Sequence, residues 1–379
     1  MIRKLSVVAL AVFVVSSSGN AQGALSLQGL GFPPGELSTR AEGTGGAVAD
    51  FDALSVVSPA SIAGVGSAAL FLQYAPEFRR VTAGSGSAKT TTARFPLIVA
   101  IIPMGSAWTL GLSSSTFLDR SYVTSAQYPQ QVGDTVDIVE FTERTKVLGA
   151  INDLRAALAW RGSPKFSVGV GGHVFTGGNR VTFDQIFPDS AKYVSTSQNT
   201  RVSFTGFAGS LGIEYHPSRT IGFALSGRKG GELRAEVGDS AIGKGRLPDH
   251  FSASVTYDGI TGASLSARVA HDSWSSLGSL SSSNVQAFDG WDASVGAEAS
   301  GPRILQRLVT LRAGTRFRTL PFGFNGEKVS ETAFMAGFGA PLTRDRASFD
   351  FAIQRAVRSG SGDAKERGLI LSFGLRVSP

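Results

Sequence analysis

From residue 66 onward the chain alternates apolar and non-apolar positions in runs of about ten residues, the length a tilted strand needs to cross a bilayer. In INDLRAALAW, Leu154, Ala156, Leu158 and Trp160 share one face, while Asp153 and Arg155 occupy the other. The turn RGSPK follows, and then FSVGVGGHVF puts Phe166, Val168, Val170 and Val174 on one side and Ser167, Gly169, Gly171 and His173 on the other. A period of two predicts strands, not helices.

The same hairpin recurs down the chain. Ile213 and Tyr215 precede a turn at 216–219, with Ile221, Phe223 and Leu225 after it. Phe251, Ala253, Val255 and Tyr257 lead to Asp258-Gly259, and Leu265, Ala267 and Val269 return. Trp291, Val295, Val309, Leu311 and Phe317 repeat the pattern, and FMAGFGAPLTRDRASFDFAIQ and GLILSFGLRVSP complete it.

The connections alternate in length as well. Short turns fall near 103–105, 161–165, 216–219, 258–262, 301–306 and 341–346. Long polar segments fall at 118–146, 176–200, 229–247, 273–288, 319–330 and 357–365, with a smaller one near 78–89. Counting strands between them yields 14, with both ends of the wall on the short-turn side. Short turns on one rim and long loops on the other is the asymmetry of an outer-membrane barrel.

A soluble sandwich would show the same alternation, so other signals must separate the two. Trp160, Tyr215 and Tyr257 each sit on the apolar phase at the last position before a short turn, where an interfacial aromatic belt belongs. The opposite phase carries Asp153, Arg155, His173, Ser254, Thr256, Arg268, Glu298, Arg312 and Arg316, which suits a polar lumen. The expected fold is all-β, a 14-stranded antiparallel transmembrane barrel.

The N-terminus refines this picture. Arg3 and Lys4 precede the apolar run Leu5 to Val15, and small residues follow up to Ala21. That run is too short to span a bilayer, so 1–21 reads as a cleaved secretory signal leading to the bacterial outer membrane. Segment 22–65 then precedes the barrel of 66–379, whose first strand is expected at SAALFLQYAP. Within it LSTRAEGTGGAVADFDALSVVSPASIA is rich in Gly and Ala, which allow close backbone approach in a confined space. Val48, Phe51, Leu54, Val56, Val57 and Ile62 are more apolar than a disordered linker would be.

This stretch resembles the N-terminal hatch of the FadL-type outer-membrane transporters of long-chain fatty acids and other hydrophobic compounds. Arg40 stands at the family's Arg, Gly45-Gly46-Ala47 at its glycine pair and alanine, and Asp52-Ala53 at its acidic turn, with Phe51 replacing the usual first acid. Ser58-Pro59-Ala60 stands where the family has Asn-Pro-Ala, and Ser lacks the reach of the amide. The resemblance spans about 25 residues and implies a plug inside the lumen, a hydrophobic small-molecule ligand, contact with outer-membrane lipid, and a sideways exit through a kinked third strand. That strand is SAWTLGLSSSTF, where the apolar stripe breaks at Gly111, Ser113, Ser114, Ser115 and Thr116, the expected exit. Arg155, Arg312 and Arg316 are candidate lumen contacts for a ligand carboxylate, and Tyr122, Tyr128, Val136, Ile138 and Phe141 in the longest loop form an amphiphile-like cluster. Related barrels also serve as adaptors in protein secretion, which would imply a protein partner, and an open diffusion porin is a third reading.

Composition narrows the chemistry further. Cys is absent, which excludes a disulfide scaffold and thiol catalysis. The formal charge of +7 is scattered, so nucleic acid is not an expected partner. GSGSAKTT at 84–91 lacks the Gly that a phosphate loop places before its Lys, and AGSLG at 208–212 lies inside a strand, away from any strand-to-helix elbow. His173, His216, His250 and His271 show no metal-ligand spacing. No cofactor, metal or catalytic activity is expected.

Overall fold

The computed structural model describes residues 31–378 apart from 84–85, 132–137, 281–285, 305, 325–326, 344–345 and 361–363. The expected signal segment, 1–21, lies outside the described residues. The strands are β1 (Ala69–Ala83), β2 (Gly86–Met104), β3 (Trp108–Asp119), β4 (Tyr122–Gln131), β5 (Ile138–Ser163), β6 (Phe166–Ile186), β7 (Thr196–Tyr215) and β8 (Ile221–Val237). They continue with β9 (Ser240–Arg246), β10 (His250–Ile260), β11 (Ala263–Asp272), β12 (Gly290–Ile304), β13 (Arg307–Phe324), β14 (Glu327–Thr343), β15 (Ala347–Ser359) and β16 (Lys365–Val377).

Fourteen of them form a closed antiparallel wall. Pairing of β1 with β16, from Leu70↔Val377 to Thr82↔Lys365, closes the ring and leaves no free edge. The other two, β4 and β9, lie off the ring. β4 folds back on the outer half of β5, and β9 on the outer half of β8. Both ring termini stand on the rim of short turns, as the alternation of connections predicts.

The long connections differ from expectation. Much of 118–146, 176–200, 229–247 and 319–330 is strand, and β5 runs for 26 residues. Polar side chains on both faces do not end a strand when its backbone groups still find ladder partners above the bilayer. The wall therefore stands well proud of the membrane on that side.

The outward phase is apolar. Val170, Leu211, Phe223, Phe251, Val295 and Phe334 are each 47–66 % exposed, while their inward neighbours Ser226, Ser252, Ser254 and Arg268 are buried. A water-soluble protein could not leave such a continuous belt open, whereas lipid covers it at no cost. Trp108 and Trp160 meet at the short-turn rim with ring centroids 6.3 Å apart, beside the expected aromatic belt.

Residues 31–65 fill the lumen. A single helical turn, α1 (Thr39–Gly43), is capped by the Ser38 hydroxyl, which accepts from the Ala41 N–H. A 3-10 turn at Pro59–Gly64 begins with Ser58 as its cap, the hydroxyl accepting from the Ala60 N–H. Leu54, Val56, Ile62 and Ala63 pack on Phe71, Leu97, Val99, Ile101, Ala157 and Ala159 of the wall. Burial of Leu54, Val56 and Ile62 stabilises by about 1.5–3 kcal/mol each. The segment is a hatch.

Candidate functional site

The hatch is held by three charge sockets, one of them Glu36 accepting from Arg228 of β8, and by close backbone contact. Asp50 reaches the β8–β10–β11 wall, where it accepts hydrogen bonds from Ser226 (2.8 Å), Ser252 (2.7 Å), Ser254 and Arg268 Nε (3.0 Å). Burial opposes its ionisation, but Arg268 and the three hydroxyls outweigh that and hold the carboxyl below its ordinary value. On the other side Arg40 donates to Glu298 at 3.0 and 2.5 Å and lies 3.7 Å from Asp52. Glu298 also accepts from Arg312 at 2.8 Å, and Arg312 bonds Asp350 at 2.5 Å. Asp52 itself accepts from Ser38 and Ser55.

Glycines let backbone meet backbone at these points. Gly45 has φ +73° and lies on β13, where a Cβ would stand 2.8 Å from the Thr315 carbonyl. From the wall, a Cβ on Gly314 would overlap the Thr44 carbonyl, and one on Gly212 would stand 2.5 Å from Ser58 Oγ and 2.9 Å from the Pro59 ring. Gly46 has φ +92° in the same turn as Gly45. Pro59 and Ala60 rest on β6 and β7 beside Gly169 and Gly212.

Outward of the hatch the lumen becomes apolar. Phe117, Phe175, Phe204, Leu233, Leu320 and Phe322 from the wall converge on Trp274 and Leu277, which a 3-10 turn (Trp274–Leu280) sends inward from the β11–β12 connection. Phe117 stacks on Trp274 with centroids 5.2 Å apart and meets Phe175 edge-on at 4.8 Å. The Arg228 guanidinium covers both Phe rings at 5.5 and 5.6 Å. A cavity of about 90 Å³ remains there, lined by apolar Leu37, Val57, Phe117, Trp274 and Leu320 and by charged groups including Arg228, Arg268, Asp272 and Asp292.

Beside this chamber the wall is interrupted. The β2–β3 ladder is unbroken from Met104↔Trp108 to Leu97↔Ser115 and then stops, although β2 continues along β1. On the other edge of β3, a bulge between Thr116 and Leu118 shifts the register against β5. Phe32 of the N-terminal segment fills the gap by exchanging backbone hydrogen bonds with Asp119. Arg94 of β2 donates to the Asp119 carboxylate at 2.6 Å across the same gap. The Phe32 ring is buried among the guanidiniums of Arg358 (4.6 Å), Arg79 (4.9 Å), Arg318 (5.2 Å) and Arg94 (5.5 Å), which Glu77, Glu331, Glu366 and Asp119 neutralise.

The sequence candidates distribute unevenly over this geometry. Arg40, Gly45, Gly46, Asp52, Ser58, Pro59 and Ala60 all lie in the hatch or its seats. Gly111, Ser113, Ser114 and Ser115 stand in the intact ladder, and the interruption begins at Thr116, one step further along. Gly111 makes room for the hatch: a Cβ there would lie 2.9 Å from Ile62 Cδ1.

Of the candidate carboxylate contacts, Arg312 and Arg316 hold Glu298, Asp350 and Asp292, while Arg155 donates to the Val56 carbonyl at 2.8 Å. Tyr122 packs against the apolar chamber, Tyr128 and Phe141 pair on the outer extension with centroids 6.0 Å apart, and Val136 lies outside the described residues. Asp50, Phe32 and Trp274 went unrecognised. Asp50 lies one residue before Phe51, which takes the place of the family's first acid, and a Trp in a serine-rich connection is the only local signal for Trp274. Among the described residues no cluster of metal-ligating side chains occurs.

No protein-family model matches the chain, and no curated protein matches it either. Solved structures do match its fold. A Pseudomonas aeruginosa FadL homologue aligns with TM-score 0.65 at 15% identity, over 92% of this chain and 99% of that one. The Ralstonia pickettii toluene transporter TbuX aligns with TM-score 0.57 at 13% identity, over 94% and 100%. The Pseudomonas putida toluene transporter TodX aligns with TM-score 0.57 at 13% identity, over 92% and 98%. From barrel to plug, this chain has the fold of the FadL-type outer-membrane transporters.

Proposed function

We propose that this protein takes up hydrophobic small molecules across the outer membrane, long-chain fatty acids or monoaromatic compounds among them. The observation that carries the reading is an aromatic chamber inside an otherwise charged lumen, floored by the hatch and next to a gap in the wall stoppered by one Phe. The fold similarity to a FadL homologue and to two toluene transporters supports it. A water-filled diffusion pore would have no reason to gather Phe117, Phe175, Trp274 and Phe322 at its centre.

In this reading the structure is the closed state. An apolar cavity of about 150 Å³ holds benzene, so the 90 Å³ between Trp274 and the hatch is too small for one ring. A pocket of about 360 Å³ lined by Tyr122, Val202, Phe204 and Leu280 lies on the other side of the cluster. To pass further toward the hatch a ligand must displace Trp274 or the Phe32 segment. Withdrawal of Phe32 opens the gap between β2 and β3 at Thr116–Asp119, which is the exit we assign, in place of the serine run alone. Arg228 already pairs with Glu36 of the hatch, but its buried Nε has no partner among the described residues and would receive a carboxylate head group at the chamber edge.

The test is displacement of a fluorescent fatty-acid probe from the detergent-purified mature protein, with fatty acids and monoaromatic compounds as competitors, compared with a chain lacking residues 22–65. Saturable, competable binding that changes on hatch removal supports the reading. Absence of binding by an intact, heat-modifiable barrel overturns it.

A further inference from the structure

Three neighbouring strands bring an acid, a base and a hydroxyl into one line on the lumen wall. Asp153 of β5 accepts from His173 Nδ1 at 2.8 Å, and His173 Nε2 of β6 lies 2.8 Å from Ser210 Oγ of β7. The residues are diagonal neighbours in register: Asp153 opposes Phe175, two positions from His173, and Ser210 opposes Gly171, two positions on the other side. Diagonal side chains of this kind reach one another across paired strands.

The geometry is polarised. An ionised Asp153 only accepts, so it keeps the proton on Nδ1 and leaves the Nε2 lone pair facing the serine hydroxyl. Asp153 and His173 are buried, whereas Ser210 retains partial exposure to the lumen. The ring of His173 is fixed by stacking on Phe175 at 6.2 Å, which also belongs to the aromatic chamber.

A fourth group completes the arrangement. Arg155, directly opposite His173 in the β5–β6 ladder, uses Nη1 on the Val56 carbonyl but leaves its buried Nε–H without a partner. Gly171 lies between these groups. A Cβ there would be 2.5 Å from Ser210 Oγ and 3.6 Å from both Arg155 Cδ and His173 Nε2. The missing side chain at Gly171 thus lets a hydroxyl, a base and an unspent cationic donor converge on one point of the wall.

We propose that Ser210, His173 and Arg155 hydrolyse esters of hydrophobic acids that enter the lumen, with Asp153 as positioning residue. Ser210 Oγ attacks the ester carbonyl carbon and its proton passes to His173 Nε2. The oxyanion of the tetrahedral intermediate faces the Arg155 Nε–H. Its collapse breaks the bond to the alcohol, which leaves with the proton from His173. Water then attacks the acyl-serine by the same route, releasing the carboxylic acid and restoring Ser210. The substrate class rests on the uptake reading above, while the serine chemistry rests on the wall alone.

The full mature protein in detergent would be treated with phenylmethylsulfonyl fluoride and with an alkyl fluorophosphonate, and adducts mapped by mass spectrometry. Hydrolysis of p-nitrophenyl esters and displacement of the fluorescent fatty-acid probe would be followed on the same samples. Expected are an adduct on Ser210, absent in Ser210→Ala and His173→Gln, and ester turnover about 100-fold lower in both. Asp153→Asn should lower kcat with KM unchanged. Lack of any Ser210 adduct in a heat-modifiable wild-type barrel, with turnover equal in wild type and Ser210→Ala, overturns the proposal. Probe displacement reports separately on uptake, so the failure of one reading is distinguishable from the failure of the other.

Discussion

Phe32 and Asp119 exchange both backbone hydrogen bonds, at 2.8 Å and 2.9 Å, where the β2–β3 ladder has already ended. The N-terminal segment therefore acts as a one-residue strand that satisfies the edge of β3. Without it, the Asp119 N–H and carbonyl on that edge would lose their backbone partners, and a buried backbone group left unpaired costs about 1–3 kcal/mol.

Replacing that stopper tests the gap directly. Phe32→Ala should keep the backbone bridge but empty the arginine cage, costing about 3–5 kcal/mol by analogy with buried Phe truncations. Uptake of a radiolabelled fatty acid by cells should rise, while barrel folding, read by heat-modifiable migration, stays intact. Unchanged uptake would place the exit elsewhere.

The Asp50 socket predicts behaviour in acid. Its folded-state pKa lies below the ordinary 3.8, so its stabilisation is present above that value and is lost as pH falls through the lower, folded one. Single-channel conductance should be low at neutral pH and rise only in strong acid. Asp50→Asn should reproduce the leak at pH 7, where the wild type is closed.

Glu42 predicts the opposite trend in a different window. Its carboxyl is pushed up from 4.5 to about 7, chiefly by burial, against opposing hydrogen bonds from Ser372 and Gln73 and the charge of Arg316. A raised acid favours the folded state while protonated, so hatch docking weakens as pH rises from 4.5 to about 7 and is level beyond it. Amide exchange in residues 37–63 should speed up across that window. Glu42→Gln should flatten the profile; an identical profile in the variant would show that another group is responsible.

Close packing of the plug gives a steric prediction. Gly314→Ala would push a methyl group into the Thr44 carbonyl, and overpacking of this kind costs about 1–3 kcal/mol. Because the contact is between hatch and wall, the loss should appear as protease access to residues 31–65, with the barrel still resistant.

Trp274 roofs the chamber from a connection, so its removal should affect ligand more than fold. Because a ligand must displace it, loss of its stacking on Phe117, worth about 0.5–1.5 kcal/mol, should give a roughly 2- to 13-fold tighter hold on an aromatic competitor. Probe displacement on Trp274→Ala measures it.

Alternation along Leu154–Trp160 or Phe251–Tyr257 is a local property, set by which side of each residue meets lipid, so the strands, their number and the rim of short turns were legible in the sequence. The hatch was legible from its small-residue composition and its resemblance to a known plug, in which Gly45 is a seat where backbone meets backbone. What stayed hidden depends on partners far apart in the chain. Asp50 looks like any acid until folding brings Ser226, Ser252, Ser254 and Arg268 around it, and Arg312 looks free until Glu298 and Asp350 are beside it. The end of the β2–β3 ladder, the Phe32 stopper and the Asp153–His173–Ser210 line are likewise products of register. A one-residue slip would turn each of those side chains to the other face. Periodicity determines which face a residue occupies; only the closed ring decides what it meets there.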